Sequence, residues 1–173
     1  MACTTIVQGS SIDCLNSIGG IEEIYITEFT NVPQGNITAS SGVISAMSCS
    51  SGKKFFTFQL KKQTAESTES IVSNVENGTL YFEQKITFTL PKQSASLRYT
   101  LKTLAENRCM VITKDRNGII KLYGQTTGCD ISESSFSTGK TFGDFNGATI
   151  SLTGMEPELA STLSSAILAT VTV

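Results

Sequence analysis

The chain contains no histidine and no tryptophan. Without histidine it can build neither a Ser-His-Asp triad nor a Cys-His pair. It also has no imidazole metal ligand and lacks the commonest general base near neutral pH. Charge is scarce as well: 16% of residues are Asp, Glu, Lys or Arg, and only 39% are hydrophobic. Ser, Thr, Gly and Asn fill the gap, which is the composition of a β-rich chain with many turns. No run of about 18 apolar residues occurs, so no membrane-spanning helix is expected. The cysteines Cys3, Cys14, Cys49, Cys109 and Cys129 are odd in number and include no C-x-x-C pair. Neither a disulfide framework nor a zinc site is therefore expected. The opening Met-Ala-Cys-Thr-Thr has no basic n-region and no apolar h-region, so no signal peptide is expected. Asn36 and Asn77 stand in Asn-x-Thr sequons but read as turn residues in a chain without an export signal. The expected compartment is a reducing cytoplasm or a particle assembled there.

What is present is 173 residues, enough for one domain spanning 1–173, with a net charge of −2. That balance gives no global reason to bind nucleic acid, yet the charge is uneven. Residues 53–121 hold twelve of the thirteen basic side chains against six acids, while each flank carries a net −4. Complementary blocks of this kind can steer like subunits into head-to-tail contact.

Period-two alternation predicts strands over 22–29, 43–47 and 54–60, the last with Phe56, Phe58 and Leu60 facing one way. Residues 66–75 and 79–90 flank Asn77-Gly78 and read as a long hairpin with about 10 residues per arm. Asn-Gly is the strongest short-range hairpin signal, because both residues tolerate the positive φ of a type I′ turn. Residues 92–107 change period: Leu97, Leu101, Leu104 and Ala105 form the apolar stripe of an amphipathic helix, beside a solvated ridge of Arg98, Lys102 and Glu106. A second hairpin, 108–114 and 119–124, turns at Asn117-Gly118. Residues 132–147 are small, polar and glycine-bearing, and 148–153 supply another strand. Glu156-Pro157-Glu158 suits the first turn of a helix over 159–168, and 169–173 favours β structure. The expected fold class is mainly β, a β-sandwich or rolled sheet with one packed α-helix and long hairpins for pairing between subunits.

No constellation carries chemistry. Gly139-Lys140-Thr141 ends like a P-loop, but Ser134 stands where its first glycine belongs and no apolar helix follows. Gly143-Asp144-Phe145-Asn146-Gly147 lacks the alternating acids and terminal Glu of a calcium loop. Glu22 and Glu23 are adjacent in a strand and should point to opposite faces. Glu156 and Glu158 should lie in an exposed turn. Cys109 reads as a small buried apolar side chain and neither it nor Cys129 has a histidine to activate it. Lys53, Lys54, Lys61 and Lys62 bracket Phe55, Phe56 and Phe58, a mixture used on nucleic-acid single strands. The shared phase of Phe56, Phe58 and Leu60 instead points them to the core. Catalytic, cofactor and metal residues are all expected to be absent.

The element order, strands, long hairpin, helix, hairpin, glycine-rich segment and strand, resembles the tail tube (major tail) proteins of long-tailed bacteriophages. Residues 122–128 (LYGQTTG), 138–147 (TGKTFGDFNG), 150–157 (ISLTGMEP) and the opening 14–26 are similar to virion structural proteins of Bacteroidetes-type phages. The resemblance covers about a third of the chain. It implies a structural virion protein, assembled in the host cytoplasm, that stacks as hexameric rings into a tube through which DNA passes without specific binding. Its partners would be copies of itself and other tail or neck proteins, with no membrane and no cofactor. The residues expected at subunit contacts are Lys61, Lys62, Asn77, Gly78, Asn117 and Gly118. A neck, terminator or head-decoration protein of a phage, and a non-viral β-barrel or carbohydrate-binding module, are the alternative readings.

Overall fold

The computed structural model describes Gly9 and residues 17–173. Cys3, Asp13, Cys14 and the first residues of the opening segment lie outside the described residues. The described chain forms eleven strands and two helices: β1 Ile21–Glu28, β2 Ile37–Ser40, β3 Val43–Met47, β4 Phe56–Gln59, β5 Ala65–Asn74, β6 Thr79–Pro91, α1 Ala95–Glu106, β7 Cys109–Asp115, β8 Ile120–Tyr123, β9 Asp130–Ser137, β10 Gly147–Glu156, β11 Ser161–Leu163 and α2 Ser165–Val171. They build two sheets, one of seven strands in the order β2-β3-β11-β8-β7-β1-β4 and one of four in the order β5-β6-β10-β9. The protein is thus mainly β, a sandwich of two sheets with packed helices. No helix among the described residues is long and apolar enough to cross a membrane.

Two apolar clusters lie on opposite faces of the larger sheet. Between the sheets, Ile24 and Ile26 of β1 and Val111 of β7 meet Ile86, Phe88 and Leu90 of β6 and Ala148, Ile150 and Leu152 of β10, with Leu101 and Leu104 of α1 closing the end. On the outer face, Tyr25, Met110, Ile112 and Leu122 pack against Phe55, Val32, Leu163 and the α2 residues Leu168 and Val171. A strand covered on both faces loses its alternation, which is why β7 is buried from Cys109 through Thr113. The smaller sheet packs one face against the core, so β6 keeps a clear alternation, while β10 alternates only in part because Ser151 of its other face is also buried.

The helix α1 forms where its apolar stripe predicts. Ser94 caps it, its side chain accepting from Leu97 N at 3.1 Å. Lys102 and Glu106 pair at 3.7 Å on the solvated ridge.

Several expectations are corrected. A second helix, α2, covers the larger sheet and starts after Ser164, whose Oγ accepts from Ile167 N, so residues 159–164 are not helical. The helix occupies most of the terminal segment expected to be β, leaving a single parallel bridge from Thr172 to Phe55. Residues 132–137, read only as the start of a small, polar, glycine-bearing stretch, belong to β9, which pairs along the edge of β10. The phase of Phe56, Phe58 and Leu60 holds, with Phe56 and Phe58 opposite Ile26 and Ile24 of the inter-sheet face, but Phe56 is 63% exposed there, while Phe55, on the other face, is fully buried under α2. Phe58 and Leu60 do join the inter-sheet core, Phe58 meeting Phe88 edge-on at 6.3 Å.

Both Asn-Gly turns exist, but neither is type I′. Only the glycines have positive φ, 63° at Gly78 and 83° at Gly118. The loops are longer than two residues. Asn74 pairs with Thr79 across four turn residues, and Asn74 Oδ1 accepts from Asn77 N at 3.0 Å. Asp115 Oδ1 accepts from Asn117 N and Ile119 N at 2.9 and 2.7 Å. A longer loop built on such side-chain turns needs one left-handed residue, and glycine supplies it.

Candidate assembly surfaces

The smaller sheet presents one face to the core and one away from it. By register, Glu66 opposes Thr87, Thr68 opposes Lys85 and Ser70 opposes Glu83. Across β10, Glu133 faces Ser151 and Asp130 faces Thr153. These share the face opposite Ile86, Phe88 and Ile150, so the outward face carries Glu66, Glu83, Asp130 and Glu133 against Lys85. Its hydroxyls bond one another, Thr87 Oγ1 with Ser151 Oγ at 3.1 Å and Thr153 Oγ1 with Ser132 Oγ at 3.0 Å. The sheet ends on β5 at one side and β9 at the other. The ten residues of β5 contain neither proline nor lysine, the usual devices that blunt an edge.

The β5–β6 hairpin outruns its support. Pairing of β6 with β10 stops at Phe82 opposite Glu156, while β5 and β6 continue together to Asn74 and Thr79. On the core-side face a polar seal closes the sandwich. Lys121 Nζ bonds Glu69 at 2.7 Å, Tyr123 OH meets Ser67 Oγ at 3.1 Å, and buried Gln84 accepts from Gly124 N at 3.0 Å and donates to Glu158 O at 3.2 Å. Beyond that seal the same face resumes with Ile71 and Leu80, both exposed, and the turn presents Val75 at 91% exposure. Asn77 and Gly78 form this tip and are exposed.

Asn117 and Gly118 behave differently. The β7–β8 hairpin is tied back into its own chain, since Asn117 accepts from Ile18 N at 2.8 Å and donates to Ile18 O at 2.9 Å. Lys61 and Lys62 are exposed in the corner between β4 and β5 and make no ion pair among the described residues.

The sequence blocks of charge also interleave on folding. Lys114 reaches both Glu22 and Glu23, at 3.0 and 3.5 Å, because a register shift in β1 between Ile21 and Glu23 swings the two neighbouring carboxylates to one side. Glu23 also accepts from Tyr25 OH at 2.5 Å, and burial first, then Glu23, pushes that phenol well above its ordinary range. Glu156, expected in an exposed turn, is 3% exposed: it ends β10 and takes Thr126 N, Thr127 N and Thr127 Oγ1 at 2.8–3.1 Å. Of the Gly139-Lys140-Thr141 amides that a phosphate would need, Gly139 N is already bonded to Ser137 Oγ at 3.4 Å, and Lys140 N and Thr141 N to Asp144 Oδ2 at 2.7 and 2.8 Å. Those backbone bonds hold the Asp144 carboxyl below its usual range. Among the described residues no group of three or more Cys, Asp or Glu side chains is arranged to hold a metal.

One surface escaped the sequence altogether. A groove of about 730 Å³ opens between α1 and the β1–β4 edge, with Phe56, Tyr99, Lys53 and Lys54 on its rim and Thr27 and Leu104 at its floor. Tyr99 is 72% exposed. Residues 43 positions apart meet there, so no local pattern announces the site. A scan against protein-family models and searches of curated proteins and of solved structures each find no match to the chain.

Proposed function

We propose that the protein is a structural subunit that assembles with copies of itself into stacked rings, forming a phage tail tube through which DNA passes. The observation that carries this reading is the smaller sheet, with one face sealed against the core, the other a Ser/Thr-rich acidic surface, and an open edge at each side. Four strands with two free edges can be joined edge to edge, β5 of one copy beside β9 of the next. Rotation about an axis then closes the joined sheets into a barrel that leaves no edge exposed. The outward faces would line the bore. Excess carboxylate there repels phosphate, so DNA would slide without sticking, whereas a basic bore would release counterions and hold it. The resemblance of the sequence to tail tube proteins supports the same reading and suggests six subunits per ring.

Electron microscopy of the concentrated purified protein tests it. Rings or tubes with a bore wide enough for a duplex are expected, and sedimentation should show the assembly growing with protein concentration. A monomer at every concentration and salt tested would overturn the proposal.

A further inference from the structure

We infer that the tip of the β5–β6 hairpin of one copy docks in the groove between α1 and β4 of the next copy, making the axial, ring-to-ring contact. This rests on the assembly reading above and adds the contact that reading leaves open, since edge pairing joins subunits only within a ring.

The two surfaces lie at opposite ends of the molecule. The larger sheet has β4 at one edge, beside β1, with β8 and β11 three and four places away. The groove lies at the β1–β4 edge, between Ile26, Phe56 and α1. The β5–β6 hairpin crosses that sheet: Phe88, paired with Ala65, meets Phe58 of β4, then Ser67 bonds Tyr123 of β8 and Glu69 accepts from Ala160 N just before β11. The hairpin tip therefore projects from the β8–β11 side, away from the groove. A protrusion at one end and a recess at the other make a heterologous contact, and repeated translation along one axis gives an open stack.

Their chemistry matches. The tip offers Val75, Leu80 and Ile71 with one carboxylate, Glu76. The groove offers two exposed rings, Phe56 and Tyr99, flanked by Lys53 and Lys54, neither of which has an ion-pair partner among the described residues. An exposed two-stranded overhang is weakly stable in water and apolar on one face, so covering it removes a liability from each copy. A second copy of the chain is the occupant we assign, because it brings the apolar tip and the opposite charge together and is always present at the groove's own concentration.

The test places the photo-reactive residue p-benzoylphenylalanine at position 75 of the full chain and mixes heavy-isotope and unlabelled copies. Crosslinks between differently labelled copies are expected on peptides carrying Phe56 or Tyr99. Glu76→Lys alone, or Lys53→Glu with Lys54→Glu, should cut their yield severalfold at low salt, where charge acts beyond about 10 Å. All three changes in one chain should restore it. A variant with residues 73–80 replaced by Asn-Gly, which closes the arms as a two-residue hairpin, should still form rings that no longer stack. Crosslinks directed elsewhere, failure of the triple variant to recover, or stacking by the trimmed protein would overturn this contact while leaving ring assembly standing. A protein that stays monomeric without crosslinking would sink both readings. An oligothymidylate that binds in a Phe56→Ala-sensitive way, with no crosslink formed, would reassign the groove to single-stranded nucleic acid.

Discussion

Cys109 and Cys129 face each other across an antiparallel bridge and exchange both backbone hydrogen bonds at 2.8 Å. The Cys109 thiol also reaches Cys129 O at 3.2 Å. Space around the pair is closed: a methyl group at Gly154 would meet Cys129 Sγ at 2.9 Å, and one at Gly124 would come within 2.8 Å of it. Burial, with Asp130 nearby, pushes the Cys109 thiol up to about 12, and burial followed by neighbouring negative charge pushes Cys129 higher still. The reading of Cys109 as a small apolar side chain is thus correct. The linkage has a definite sign. In the unfolded chain a thiol loses its proton above its ordinary value of 9.0, whereas the folded chain keeps it until about 12. Between those limits the folded state binds more protons than the unfolded one, so stability falls as pH rises, by about 1.4 kcal/mol per pH unit for each such thiol. Urea midpoints taken from pH 8 to 10.5 should therefore fall, and Cys109→Ala should flatten that slope whatever it does to the midpoint at pH 8. An unchanged slope would show that the thiol is not held protonated.

At the scale of elements, α1 is the clearest case of pattern becoming packing. Leu101 is 3% exposed between the sheets, so Leu101→Ala should cost about 2–5 kcal/mol, through lost transfer energy and the cavity left behind. A denaturation midpoint unchanged within error would make the helix peripheral. β1, β6, β10 and α1 were legible from local period, and β7, which faces a core on each side, from its apolar run beside the Asn117-Gly118 turn. The others were not, for separate reasons. The residues of β9, DISESSFS, have almost no apolar phase, and the strand exists because the β10 edge offers it backbone partners far away in sequence. Glu156 looked like a helix start because carboxylates favour first turns. In the fold it extends β10 by its side-chain bonds to Thr126 and Thr127, and the helix waits for the Ser164 cap. Phe55 is buried on the face opposite Phe56 because α2 supplies a second core on that side of the larger sheet. The site divides in the same way. The overhanging hairpin could be seen as two long arms around Asn77-Gly78, but the groove joins β4 to α1 and is visible only after folding.

For the whole molecule, the proposed assembly assigns the acidic face of the smaller sheet to the bore, and that assignment has a consequence for DNA. Glu66, Glu83, Asp130 and Glu133 against Lys85 give that face a net charge of −3, although the chain as a whole carries only −2. Charge concentrated on one exposed face, away from the core and from the larger sheet, contributes nothing evident to folding, so its effect should appear on a polyanion moving past it. Glu66→Lys, Glu83→Lys and Glu133→Lys together turn the face to +3 without touching a buried side chain. Assembled wild-type protein should then show no retention of duplex DNA in a filter or mobility assay. The triple variant should retain it, with affinity falling steeply as salt rises, since each neutralised phosphate adds about −0.9 to the slope of log affinity against log salt. Equal retention by both proteins would place the acidic face away from the DNA path. Retention by the variant only when its rings are dissociated would mean that the face is covered on assembly, and the bore would then have to be lined by the larger sheet or by α1.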